Sequence, residues 1–322
     1  MKLYIPNSAF IRNIESFIQK LDTIDSHILE ISFNEKWTYV HPVVLSMTVA
    51  LTRAMKAKGA KIIVNDAIAK STSYLTRMGL FDMLEVARPI GSESESAGRF
   101  IPIRIVKNDD ELNDFMAETT PLLHSSPSAA DTIKYVISEL VRNVFEHAGH
   151  PNNEAIVCAQ WFKKTNRFTL GVADAGMGIQ KSLEVHHGAL DDLSAIKLAL
   201  QPGVSGTTPY FGGAGNNAGA GLFVVKGFAQ SSHSYFMIYS GSALFKLLIT
   251  PPRRIIKLNA DPTRDRATMR TSLPYWQGTA VGFDISLSRS KELADLLAKV
   301  KDAFKMEIKQ RKKQRYKKPR FI

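Results

Sequence analysis

The chain has 322 residues, 44% of them hydrophobic and 22% charged, with one cysteine and a net charge of +12. That length suits two ordinary domains with a sizeable core, while a single cysteine excludes an internal disulfide and any cysteine-rich zinc site. The sequence opens without a basic-then-apolar leader and has no apolar run long enough for a bilayer, so the expected location is the cytoplasm, with no membrane partner. The charge is uneven: residues 309–322, KQRKKQRYKKPRFI, hold eight Lys or Arg and no acid. Such a run either contacts a phosphate backbone or an acidic partner, or solvates a terminus.

In chain order, residues 28–33 (ILEISF) read as a strand. Pro42 opens a helix that Gly59 closes in the C′ position. KIIVND follows as a second strand, and STSYLTRMGLFDML as a further helical turn or two. Strand–helix–strand–helix is the grammar of a small α/β layer. RPIGSESESAGRFIP is the most loop-like stretch of the chain and marks a domain boundary. No internal repeat is present.

The second half starts with a strand, IPIRIV, and a helix near Glu111–Leu123. After a long helix around residue 140, EAIVCAQWFKK and FTLGVADAG alternate as an antiparallel hairpin about the turn TNR. Cys158 falls in that alternation and reads as a small buried hydrophobe. An irregular region is expected from about Gln180 to Gly221, then a short helix, LFVVKGFAQ. The strands SYFMIYS, ALFKLLIT and GTAVGFDISL close the domain. Beyond them Leu293, Leu296, Leu297, Val300 and Phe304 repeat at helical spacing, so an amphipathic helix precedes the basic tail. Helices beside a largely antiparallel sheet make the fold class α+β. The organisation is 1–90, a small α/β domain; 91–109, linker and connecting strand; 110–288, the larger domain; and 289–322, amphipathic helix and tail.

The long helix carries the first candidate site, in SELVRNVFEHAG, residues 138–149. A capping box, Ser128-Ala-Ala-Asp131, sets its start at Ala129, and Gly149 ends it. Ile133, Val136 or Ile137, Leu140 and Val144 make its core face, whereas Glu139 and Asn143 stand one turn apart on another face. An amide oxygen ligates a hard cation such as Mg²⁺, and a carboxylate beside it polarises a water for attack on phosphorus. Alone, the pair is an ordinary surface pair. In VADAGMGIQ, Asp174 ends a strand and is followed by Gly176 and Gly178, which let backbone approach a ligand whose exocyclic amine the carboxylate accepts. In GNNAGAGLFVV, Gly215, Gly219 and Gly221 lead into a helix N-terminus, a ready anion site. The glycines fit neither a Walker loop nor a Rossmann fingerprint. Gly278-Thr279 opens the last strand. His147 reads as a helix-end histidine bonding a carbonyl, His186-His187 lack metal-ligand spacing, and Lys226 reads as a solvated lysine.

Four blocks thus stand in order: ELVRNVFEHA, DAGMGI, GAGL and GTAV. They resemble the N, G1, G2 and final Gly-Thr boxes of the GHKL superfamily of ATPases, which groups gyrase, Hsp90-type chaperones, histidine kinases and MutL-type proteins. The resemblance covers roughly residues 110–288 and implies a two-layer α/β sandwich of the Bergerat type that binds ATP with Mg²⁺. It implies Glu139 as general base, Asn143 as Mg²⁺ ligand, and Asp174 as the adenine-reading carboxylate, with Gly176 and Gly178 beside the base. Thr279 is implied as the hydroxyl assisting Asp174. Gly215, Gly219, Gly221 and Leu222 correspond to the phosphate-contacting end of a lid that begins after Gly178. The G2 segment is richer in small residues than the family pattern, which leaves open which amides touch phosphate.

The stretch from ILEISF to KIIV, with YLTRMGLFDML after it, resembles a STAS domain, the fold of anti-sigma-factor antagonists. In that family a serine at the helix start is phosphorylated; here Val40 and His41 stand in its place, so a platform for a protein partner is the implied role. Three functions follow. The first is an ATP-gated regulatory switch toward a macromolecular partner, with ATP hydrolysis and an ATP-dependent homodimer as family traits. The second is an anti-sigma-type Ser/Thr protein kinase. The third is an ATPase associated nonspecifically with nucleic acid through residues 309–322. No helix with an acceptor histidine precedes the N box, which argues against a histidine kinase.

Overall fold

The computed structural model describes residues 1–22, 27–65, 72–88, 100–123, 127–149, 153–188, 190–207, 220–249 and 258–316. The N-terminal part contains β1 (Lys2–Ile5), β2 (Ser8–Ala9), α1 (Glu15–Ile18), β3 (Leu21–Asp22), β4 (Ile28–Phe33), β5 (Tyr39–Val40), α2 (Pro42–Ala57), β6 (Lys61–Val64), α3 (Thr72–Arg77) and α4 (Leu80–Leu84). The remainder contains β7 (Phe100–Val106), α5 (Asp109–Thr119), α6 (Pro127–His147), β8 (Ala155–Phe162), β9 (Arg167–Ala173), α7 (Gly178–His187) and α8 (Asp192–Ala199). It ends with α9 (Gly221–Ser231), β10 (Tyr235–Gly241), β11 (Ala243–Leu247), β12 (Ala267–Arg270), β13 (Trp276–Ser286) and α10 (Leu293–Tyr316). Among the described residues, no helix is long and apolar enough to cross a membrane.

Two main sheets organise these elements. The larger has the order β12-β11-β10-β13-β9-β8-β7, with every neighbouring pair antiparallel. The smaller has the order β3-β1-β4-β6, in which β4 runs parallel to both β1 and β6. Parallel strands need a crossover, and α2 supplies it between β4 and β6. The strand at 100–106 is thus the edge of the large sheet, paired with β8, as well as a connection from the N-terminal part.

The alternation of β8 and β9 sends their side chains to two different cores. Val157, Ala159, Phe168, Leu170 and Val172 join α6, α9 and α10 on one face. Ile156, Cys158 and Ala173 join β1, β4, α2 and α4 on the other. The large sheet is therefore covered on both faces, and α2 lies within the second core. Its apolar N-terminal half is therefore buried on all sides, whereas Arg53 and Lys56 near its C-terminal end are partly exposed. From Pro42 to Ala50 every residue of α2 is buried.

The start of α2 comes within backbone contact of β9. A Cβ placed on Gly171 would lie 2.2 Å from the Val43 nitrogen and 2.4 Å from the Pro42 carbonyl carbon. Ser46 Oγ donates to the Gly171 carbonyl at 3.2 Å, and Cys158 Sγ donates to the Pro42 carbonyl at 3.3 Å. His41 caps the helix: its Nδ1 accepts from Val43 N–H at 3.0 Å, which leaves the proton on Nε2 to be donated to Asp284 Oδ1 at 2.8 Å. The residue at the start of α2 is thus a fully buried histidine tied to β13.

Two expected elements need correction, and two strands went unread. The region from Gln180 to Gly221 is not irregular throughout, for it holds α7 and α8. In α7 only Leu183 is buried, so there is too little apolar periodicity to read, and the helix forms against β10 and β13 instead. α8 has a readable cap, with Asp191 accepting from Ser194 N–H at 2.9 Å. α6 begins at Pro127, two residues before the capping box placed it, because proline suits the first turn of a helix. Finally, β1 and β12 are four-residue strands that carry no alternation long enough to detect.

The close approach of α2 to β9 makes a testable ranking. Gly171→Ala must displace backbone and should cost about 1–3 kcal/mol of stability. Gly282→Ala, on the same face of β13, meets side chains rather than backbone, Met237 Cγ at 3.0 Å and Ile11 at 3.2 Å, and should cost less. Urea denaturation of the two variants measures the difference; equal losses would contradict the docking described.

Candidate nucleotide site

One flank of α6 packs on the core, and the other lines a cavity of about 550 Å³ closed by β9, β13 and the starts of α7 and α9. Glu139, Asn143, Asp174, Gly178, Gly221, Leu222 and Thr279 all border it, so residues distant in sequence share one space. Its volume falls in the usual range for small-molecule sites. Gly176 sits behind this cavity, bordering a second one of about 350 Å³ together with Arg53, Lys56 and Glu154. Gly215 and Gly219 lie outside the described residues.

At one end, Asp174 leaves the last turn of β9 and is buried. Its Oδ1 accepts the Gly176 N–H at 2.7 Å, and the Thr279 N–H also bonds the carboxylate. Burial outweighs these donors and pushes the carboxyl up to about 7. The surrounding loops are tied by a residue the sequence did not single out, Ser240 on β10. Its Oγ donates to the Gly278 carbonyl at 2.7 Å, accepts the Ile179 N–H at 3.0 Å, and stands 3.4 Å from Thr279 Oγ1. No local pattern marks that serine, because its partners come from β13 and from the first turn of α7, far away in sequence.

At the other end, Glu139 and Asn143 face the N-terminus of α9. A Cβ on Gly221 would lie 2.8 Å from Glu139 Oε2 and 3.4 Å from Asn143 Nδ2, so the glycine lets these two side chains reach the start of α9 without moving aside. The first N–H groups of α9 have no intrahelical acceptor, and Ala220 provides no side-chain cap. Among the described residues, Asn143 Nδ2 is buried without a hydrogen-bond partner. That donor and the helix N-terminus fit an anion such as a phosphate group. Rotating the Asn143 amide would present its oxygen, a suitable Mg²⁺ ligand. Among the described residues no group of three or more His, Cys, Asp or Glu could hold a metal alone. That donor set suits Mg²⁺, which keeps waters and leans on substrate phosphates.

Glu139 is held from one turn earlier by the Tyr135 hydroxyl. Burial raises its pKa, opposed by the Tyr135 hydrogen bond and by the charge of Lys301. Lys301 comes from α10 and lies 3.5 Å from the centre of the Tyr135 ring. The i, i+4 spacing of Tyr135 and Glu139 was readable; the arrival of Lys301 was not. His147 borders the cavity, and burial lowers its pKa. Lys226 contradicts the expectation of a solvated side chain. It is fully buried on the inner side of α9, 2.8 Å from Asp265 and 2.9 Å from the Asn259 carbonyl, where it pins the segment before β12.

Residues 111–235 match a family model described as a histidine kinase-like ATPase domain. No curated protein matches the chain. The matched residues include α6, the Asp174 loop and the start of α9, so the family likeness covers both ends of the cavity.

An adenine amine donating to Asp174 favours the ionised carboxyl. Affinity for an adenine nucleotide should therefore hold above about pH 7 and fall below it, by at most about tenfold per pH unit. Calorimetric titration with ADP from pH 5.5 to 8 tests this, with Asp174→Asn as the control for titration of the phosphates. An identical pH dependence in that variant would remove Asp174 from the adenine contact.

Proposed function

We propose that the protein binds Mg²⁺-ATP in this cavity and uses its binding and hydrolysis as a regulatory switch toward a macromolecular partner. The observation that carries this reading is the pairing, in one cavity, of the buried carboxyl of Asp174 with the Glu139–Asn143–Gly221 wall at the opposite end. Asp174 reads the adenine amine, assisted by Thr279, and the α9 amides with Asn143 receive the phosphates. Bound there, Mg²⁺ would offset phosphate charge, with the Asn143 amide oxygen as its protein ligand.

Glu139 acts as the base. It accepts a proton from water while the water oxygen bonds the γ-phosphorus and the bond to ADP breaks, releasing phosphate. Its raised pKa brings its basicity nearer to neutral pH, which suits a general base. A binding-only site has no need of this carboxylate. The N-terminal part serves as the STAS-like platform for a protein partner, a reading supported by its parallel β4-α2-β6 crossover. Since His41 is buried and carries no hydroxyl, it cannot itself be the phosphorylated residue at the helix start.

Two variants test the assignment. Glu139→Gln should retain ATP while lowering turnover at least about 100-fold. Asn143→Ala should weaken Mg²⁺-ATP binding itself, read by calorimetry. If Glu139→Gln turns over at the parental rate, Glu139 is not the base. With γ-labelled ATP and cell extract, label released as phosphate supports the switch. Label on a protein band instead makes the chain a Ser/Thr kinase.

A further inference from the structure

The outward side of α10 has no task in the nucleotide site. Its inner side is committed: Leu293, Leu297, Val300 and Phe304 are buried in the core shared with α6 and α9, and Ile308 packs beside them. Arg311 extends that contact toward the Pro202 carbonyl and Gln201 Oε1, both at 3.4 Å, and pairs with Glu307. On the other side Lys305, Lys309 and Lys313 are exposed, at positions i, i+4 and i+8. That spacing sets them in one line over about 12 Å. Lys305 has Asp302 at 3.6 Å, whereas among the described residues Lys309 and Lys313 have no acidic partner. Like charges at this spacing oppose helix formation, so the inner packing holds the line in place. From Lys309 to Ile322 the sequence continues without a single acid.

We propose that this lysine line is a nonspecific binding strip for the phosphate backbone of nucleic acid. Charge complementarity and linearity favour a polyanionic strand. A bilayer is disfavoured because a membrane-surface helix must bury a free apolar face, and that of α10 is already occupied. Met306 is the one large apolar side chain prominently exposed on the described part of the helix. The exposed lysines are point charges, which position a backbone without reading bases. Recognition is therefore steeply dependent on salt and indifferent to sequence.

The test needs no nucleotide, so it stands apart from the ATPase reading. Binding of the full chain to labelled random-sequence single- and double-stranded DNA is followed by anisotropy from 50 to 200 mM KCl. The variant K305Q/K309Q/K313Q should bind at least about tenfold more weakly at low salt. Its slope of log K against log salt should be shallower by about 2–3, as three lost phosphate contacts require. K305R/K309R/K313R should bind like the parent, and all three proteins should melt at the same temperature. Absence of binding by the parent at 50 mM salt overturns the proposal. So does an unchanged affinity and slope in the glutamine variant, or binding of phosphatidylserine vesicles in preference to DNA.

Discussion

Everything in this molecule leans on β9. Its residues point alternately into two cores, so one face supports α6 and α9 while the other receives the start of α2 at Gly171. The contact at Gly171 is between backbones, and it leaves no room for adjustment by side-chain rotation. The same strand delivers Asp174 at its end. The N-terminal part is consequently built onto the back of the sheet whose loops form the nucleotide cavity, with His41 and Asp284 adding a buried tie. The second cavity, behind the Asp174 loop and bordered by Arg53 and Lys56 of α2, is a direct outcome of that stacking.

The chemistry of the site follows from burial applied unequally to two carboxylates. Asp174 is buried against backbone donors and ends near neutrality. Glu139 has its basicity raised by burial and restrained by Tyr135 and Lys301. Between them lie the N-terminus of α9, which has no side-chain cap, and the Asn143 nitrogen, buried without a partner among the described residues. Leaving such a nitrogen unpaired costs a folded protein stability, and a ligand acceptor would remove that cost. The cavity thus keeps an unpaired donor at Asn143, while Glu139 is held by its neighbours.

The limits of sequence reading fall along physical lines. The core faces of α6 and the β8–β9 hairpin were legible because periodicity records burial directly. α7 and β12 were not, since each draws its stability from neighbours rather than from its own pattern. Lys226 shows the same limit from the polar side. A lysine after a glycine-rich turn looks solvated until Asp265, brought from 39 residues away, makes its burial tolerable.

By itself the sequence determined the ordered set of glycine and acid motifs, the likeness to GHKL ATPases that they carry, and the basic character of the C-terminus. Short-range spacing suffices for these, because each motif is a few residues on one element. Only the tertiary structure decided that Glu139, Asn143 and Gly221 meet, that Ser240 ties β13 to the start of α7, and that His41 is sealed against Asp284. It also decided that α10 brings Lys301 beside Tyr135 and Glu139 while turning a line of lysines outward. Those outcomes depend on which faces pack together, and packing joins residues that no local pattern connects.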